Sequence, residues 1–246
     1  MSTPHGTTPQ RTRWLITVLV VLVMVLALAL AMAVGYALGS GGTDEAASRP
    51  SSSPSPSGSG GPIRLSGGSA QVDGRYPVKF ARTPEGAVSA LAAFNSSYTT
   101  LDPAVKARAG QLYMNEMRNM DMRELTEGMR ANIDLELESY GFGMTFEELP
   151  TQASMSALPL GAVYERVDAR RIDVALLVRI SAYDGISRRT EFLVTPKARC
   201  IWMEDVRDGD WMMADDFPKI EAPEKAEPHT AAFENSEWTE LQGGVP

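Results

Sequence analysis

The sequence predicts an α+β domain carried on a single N-terminal transmembrane helix, and three observations lead there. Residues 14–38 form an apolar run with no charge and no proline. Three helix starts, each marked by a capping residue, follow in the middle of the chain. After them the apolar period shortens from 3.6 residues to 2, the mark of strands. Helices first and a strand meander after them argue for helices packed on one face of an antiparallel sheet.

The run over 14–38 reads WLITVLVVLVMVLALALAMAVGYAL, 25 residues. About 20 apolar residues cross the hydrocarbon core, so this stretch spans it with some tilt. A cleaved secretory signal has an apolar core of only about 7–15 residues, so an uncleaved anchor is expected. Arg11 and Arg13 precede the run, while Asp44 and Glu45 follow it. By the positive-inside rule, 1–13 is a cytoplasmic tail and the bulk of the chain is exported across the plasma membrane. Ala27, Ala31, Gly35 and Gly39 recur every fourth residue. They line one helix face with small side chains, which lets helices approach closely in lipid. These are the expected membrane helix-packing residues, facing another copy or other membrane subunits.

Residues 39–74 are expected to be a disordered Ser/Pro/Gly-rich linker. Their first part, GSGGTDEAASRPSSSPSPSGSGGP, holds no large apolar residue, so nothing drives it to fold. The exported domain is expected over 75–218. Thr83-Pro84-Glu85 opens its first helix, with a Thr cap and proline at the first turn. Ala87, Leu91, Phe94, Tyr98 and Leu101 form the apolar stripe. Asp102-Pro103 repeats the signal, with Val105, Ala109, Leu112 or Tyr113, and Met117 continuing the period. Asp121 and Glu124 open a third helix, whose buried face is Met122, Leu125, Met129, Ile133, Leu137 and Tyr140, ended by Gly141.

Strands are expected near Val163 to Val167, then over Ile172 to Ile180, where Ile172, Val174, Leu176, Val178 and Ile180 alternate with Arg171, Asp173, Ala175, Leu177 and Arg179. Asp184-Gly185 marks a hairpin, and the return strand reaches Trp202 with Pro196 as a bulge or edge signal. Asp208-Gly209 turns into a last strand at Trp211 to Ala214. Residues 219–246 carry six acidic and two basic groups. They are expected to be a solvated acidic tail, in which Phe233, Trp238 and Leu241 offer a short partner-binding turn.

Composition narrows the chemistry. The formal net charge is −8 with no basic patch, so direct nucleic-acid binding is not expected. Cys200 is the only cysteine, which rules out an internal disulfide. His5 and His229 both lie in the tails. A domain without histidine lacks the base of the Ser-His-Asp and Cys-His arrangements and of histidine-based zinc sites. No catalytic, cofactor-binding or metal-ligating residue is assigned, and the chain is read as a non-enzyme without cofactors. Met114, Met117, Met120 and Met122 carry thioethers that suit Cu(I), yet their spacing fits helix-core packing better. Glu204-Asp205 and Asp215-Asp216 end neighbouring strands as possible paired carboxylates, with solvated turns as the plainer reading. Cys200 shares the buried parity of Ala198 and Trp202, and Asn95-Ser96-Ser97 matches a glycosylation sequon inside a helix.

The entry RYPVKFARTPEGAVSALAAF, sharpest at Thr83-Pro84-Glu85-Gly86-Ala87, and the exit Trp211…Asp215-Asp216-Phe217 complete a recognisable set with the anchor and tether. Together they resemble an uncharacterised family of actinobacterial membrane-anchored proteins found with conjugative and integrative-element genes. The order of elements is also similar to the cone-shaped nuclear-transport-factor-2-like fold of exported scaffold domains in type IV secretion. Two departures are visible: no strand is evident between the second and third helices, and no histidine is left for the cone. Tyr98, Tyr113 and Asp173 are conceivable cone residues. The resemblance implies a bitopic scaffold or assembly subunit of a conjugation or secretion apparatus, whose partners are the lipid bilayer and other envelope subunits. The alternative is an exported ligand-binding module, or a cofactor-free lyase or isomerase, using the cone as its pocket.

Overall fold

The computed structural model describes residues 61–214, 216 and 218–243. The expected anchor over 14–38, with Ala27, Ala31, Gly35 and Gly39, lies outside them, as do Asp215 and Phe217. Among the described residues no helix is long and apolar enough to cross a membrane.

The helix starts follow from local capping. Helix α1 runs Pro84–Tyr98, and its cap Thr83 accepts a hydrogen bond from the Gly86 amide at 3.1 Å. Gly86 is dictated by space, since a Cβ there would stand 1.9 Å from the Ala81 carbonyl oxygen. Asp102 caps α2, Pro103–Tyr113, by accepting from the Ala104 and Val105 amides. Asp121 does the same for α3, Met122–Ser139, through the Arg123 and Glu124 amides. Gly141, at φ +69, follows α3 in the left-handed conformation expected of it.

Helix α2 stops before Met117, short of the expected period. Met114 is extended and bridges Met213 in parallel, and the Asn115 amide donates to the Met213 carbonyl at 2.9 Å. The chain between α2 and α3 thus touches the sheet at one point.

The strands are β1 (Ile63–Arg64), β2 (Ala70–Val72), β3 (Tyr76–Val78), β4 (Ser154–Arg166), β5 (Arg171–Tyr183), β6 (Arg189–Val194), β7 (Lys197–Met203), β8 (Asp210–Ala214) and β9 (Thr239–Gln242). The main sheet runs β1-β9-β4-β5-β7-β8, with β6 also on β5, while β2 and β3 pair separately. Every pairing is antiparallel except β1 with β9. Strand β4 is far longer than expected, because Pro159 sits at a register irregularity between Pro159 and Gly161 and does not end it. The expected single return strand is split at Thr195-Pro196 into β6 and β7, which pair the two halves of β5.

Two boundaries are corrected. The described fold includes β1, ahead of residue 75: Ile63 and Leu65 are buried within the expected linker. The acidic tail is not solvated throughout. A short helix α4, Ala231–Glu234, and strand β9 dock on the sheet, and Ile220, Ala226, Phe233, Trp238 and Leu241 are buried. The order is therefore not a plain meander, since the last strand sits between the first and the fourth.

Both faces of the sheet carry apolar cover. The inner face of β5, with Ile172, Val174, Leu176, Val178 and Ile180, joins Ala87, Leu91, Tyr113, Ile133, Leu137 and Trp211 in the main core. On the outer face Ala175 and Leu177 meet Val163, Ile220, Phe233 and Trp238.

Candidate functional site

The three conceivable cone residues do not converge. Tyr98 gives its hydroxyl to the Met129 sulfur at 3.2 Å, and burial pushes its pKa up. Tyr113 is fully buried and donates to the Pro77 carbonyl at 2.6 Å, its pKa likewise raised by desolvation. Asp173 lies on the opposite face of the sheet. It holds Arg199 through two bonds, 2.7 and 3.0 Å, and accepts from the Lys219 amide at 3.0 Å. Strand parity explains this: Asp173 is odd where the cone-facing positions are even. Arg199 also meets Asp216, and these carboxylates keep its guanidinium pKa raised.

The other flagged groups are likewise committed to structural contacts. Met117 packs with Ala107, Leu125 and Met129, flanked by Met114, Met120 and Met122, in a small helical core. Cys200 is fully buried against the Ala87 carbonyl, and desolvation pushes its thiol pKa up. Glu204, Asp205 and Asp216 do not pair with each other; each binds a different arginine, Arg82, Arg118 and Arg199. Asn95 donates to the Leu91 carbonyl within α1.

Two buried polar clusters escaped the sequence reading. Asp210 is fully buried and accepts from the Lys79, Phe80 and Trp211 amides and from Arg207 Nε. It pins the left-handed turn at Lys79, φ +60, to the sheet. Lys106, 1% exposed, places Nζ 2.7 and 2.8 Å from the Glu136 carboxylate and 4.4 Å from the Tyr98 ring centre. Desolvation lowers the Lys106 pKa and raises that of Glu136, and the attraction between the two opposes both shifts.

The feature with the character of a binding site is the outer sheet face. Its floor is Val163, Ala175 and Leu177, bordered by Leu160 and Leu193. Gly161 forms a socket in it: a Cβ there would meet the Phe233 ring at 3.3 Å and Trp238 Cβ at 3.4 Å. An extended segment, 219–242, lies across this floor. One of its carboxylates, Glu227, pairs with Arg179 of β5. Trp238 Nε1 donates to the Glu224 carbonyl at 2.8 Å, so the segment also folds on itself. A surface cleft of about 510 Å³ lies elsewhere, between Lys79, Arg82 and Trp202. No family model matches this chain, and neither a curated protein nor a solved structure does.

Proposed function

We propose that this chain is a single-pass membrane protein whose exported domain is a non-enzymatic scaffold or assembly subunit of a cell-envelope conjugation or secretion apparatus. In this reading the domain is a cone of the nuclear-transport-factor-2-like kind. Its N-terminus is cytoplasmic, the linker lets the domain reach out from the bilayer, and Ala27, Ala31, Gly35 and Gly39 pack against neighbouring anchors. The observation that carries the scaffold reading is the commitment of Tyr98, Tyr113 and Asp173 to internal bonds. The space between helices and sheet is filled by side chains such as Trp211, Leu176 and Ile133. Recognition then falls to surfaces, which is how assembly subunits work.

The test is in-cell crosslinking of the tagged full-length chain, followed by mass spectrometry of the membrane fraction. Reproducible capture of transfer-machine ATPases or channel subunits is expected. Recovery in the soluble fraction, or capture of no envelope subunit, would overturn the reading.

A further inference from the structure

We propose that the outer sheet face, together with the β4 edge that β9 pairs, is a strand-accepting docking site, and that the chain's own C-terminal strap, 219–242, fills it in place of a partner's segment. The occupant it fits is an extended acidic peptide segment of another protein, with an aromatic ring for the Gly161 socket and a carboxylate for Arg179. This goes beyond the scaffold reading and stands whether or not the chain is anchored.

The floor is apolar in a way that needs a cover. Ala175 and Leu177 are fully buried, yet on this side the strap contributes the large apolar groups, Ile220, Phe233 and Trp238. The strap is lightly held by backbone pairing. Strand β9 meets β4 at two residue pairs, Gly161 with Glu240 and Ala162 with Thr239. On its other side it meets, among the described residues, β1 alone, at Ile63 with Leu241 and Arg64 with Gln242. A segment that leaves so few backbone bonds behind can be exchanged for another of the same pattern, which is strand addition to a sheet edge.

The same topology gives the site a signal. Among the described residues β1 has no strand partner except β9, and the Leu65 amide donates to the Gln242 carbonyl at 2.9 Å. Displacing the strap therefore takes away the strand partner of Ile63 and Arg64, nearly 180 positions away in sequence, while Ile63 and Leu65 keep their packing in the main core. Occupancy by a partner would be read out at the other end of the chain.

The experiment uses the full chain in detergent with a protease site placed between Asp216 and Ile220, cut after folding. The probe is a fluorescent synthetic peptide of residues 219–243. After cutting and dilution, the peptide is expected to replace the strap with micromolar affinity. Peptides with Phe233→Ala and Trp238→Ala, or with Glu227→Lys, should bind at least about tenfold more weakly. The uncut chain should bind the parent peptide at least about tenfold more weakly too. Hydrogen exchange should then show Ile63 to Leu65 losing protection while β5 keeps it. A cut strap that never exchanges, a face that takes no peptide, or equal binding of the altered peptides would each overturn the proposal. Selective capture of the strap of a second intact copy, with unrelated acidic aromatic peptides refused, would reassign the occupant to another copy of this chain.

Discussion

The two faces of β5 bury their central residues equally well and by different means. Val174, Leu176 and Val178 on one side, and Ala175 and Leu177 on the other, are all fully buried. The inner cover is three capped helices, with Trp211 locked among them by a bond from its Nε1 to the Ala81 carbonyl at 2.8 Å. The outer cover is one extended segment with a single four-residue helix. Burial alone therefore does not rank the faces. Cooperativity does: helices that share one core open only with the whole domain, whereas a strap with few backbone bonds can open by itself.

The inner face offers the largest effect. Trp211→Ala removes the largest fully buried side chain, and its indole bond, and should cost about 3–5 kcal/mol. Denaturant unfolding should shift as one transition, with amide protection in β5, β7 and β8 falling together. Separate transitions for helices and sheet would contradict a single inner core.

Next in size is the ion pair between α2 and α3. Lys106→Met leaves the Glu136 carboxylate buried without its cation and should cost about 3 kcal/mol at neutral pH. The double change Lys106→Met with Glu136→Leu should recover most of it, because two apolar side chains carry no desolvation penalty. The sign of the pH dependence follows from Glu136. Its folded pKa is already raised above 4.5 by burial, and losing Lys106 raises it further. The folded single variant then holds a proton that the unfolded chain has released, so its stability falls as pH rises above 4.5. Chemical unfolding at pH 5 and pH 8 should find the variant closer to wild type at pH 5.

The outer face should respond locally. Trp238→Ala is expected to take about 2 kcal/mol from strap opening and no more than that from global unfolding, since the contact is absent from both the open and the unfolded state. Hydrogen exchange in β9 and β1 should speed up through strap opening, while β5 should still exchange only through global unfolding. A global shift as large as that of Trp211→Ala would erase the distinction between the faces. Gly161→Ala is a milder form of the same change. Its Cβ would press on the Phe233 ring, costing about 1 kcal/mol, again seen in β9 and β1 first.

The sequence exposed the inner face far better than the outer one, for physical reasons. Caps at Thr83, Asp102 and Asp121 act within three residues, so the helix starts are visible locally. The inner positions of β5 form an unbroken even-numbered apolar run. The strap hides because its outer-face anchors, Ile220, Phe233 and Trp238, are spread through acidic residues and meet sheet partners more than about 40 positions away, while Leu241 reaches the main core beside Ile63. A signal was nonetheless present: Ala175 and Leu177 break the polar alternation on the outward side, next to a glycine on the facing strand. Asp173 carries the odd parity of Ala175 and Leu177, so it faces the strap and bonds the Lys219 amide instead of entering the inner core. Ile63 and Leu65 sit in a glycine- and serine-rich context, and the strand Ile63–Arg64 pairs, among the described residues, with β9 alone. The Lys106–Glu136 pair and the Asp210 cluster depend on contacts across 30 and 130 positions, which no local pattern carries.

The smallest effect concerns the β5–β6 turn, which belongs to neither cover. Asp184 accepts from the Ile186, Ser187 and Arg188 amides with one carboxylate oxygen, at 2.8, 2.9 and 3.0 Å. These bonds favour the charged form and hold its pKa below the ordinary 3.8, led by the Ile186 amide. A depressed folded value means stability that is present above 3.8 and lost as pH falls through the folded value. Asp184→Asn keeps the acceptor and drops the charge. Its melting temperature should sit slightly below wild type at neutral pH and converge with it in acid. If the gap persists unchanged at pH 2, the turn is held by shape and not by charge. If it closes, the hairpin tip is an electrostatic element that neither cover of the sheet supports.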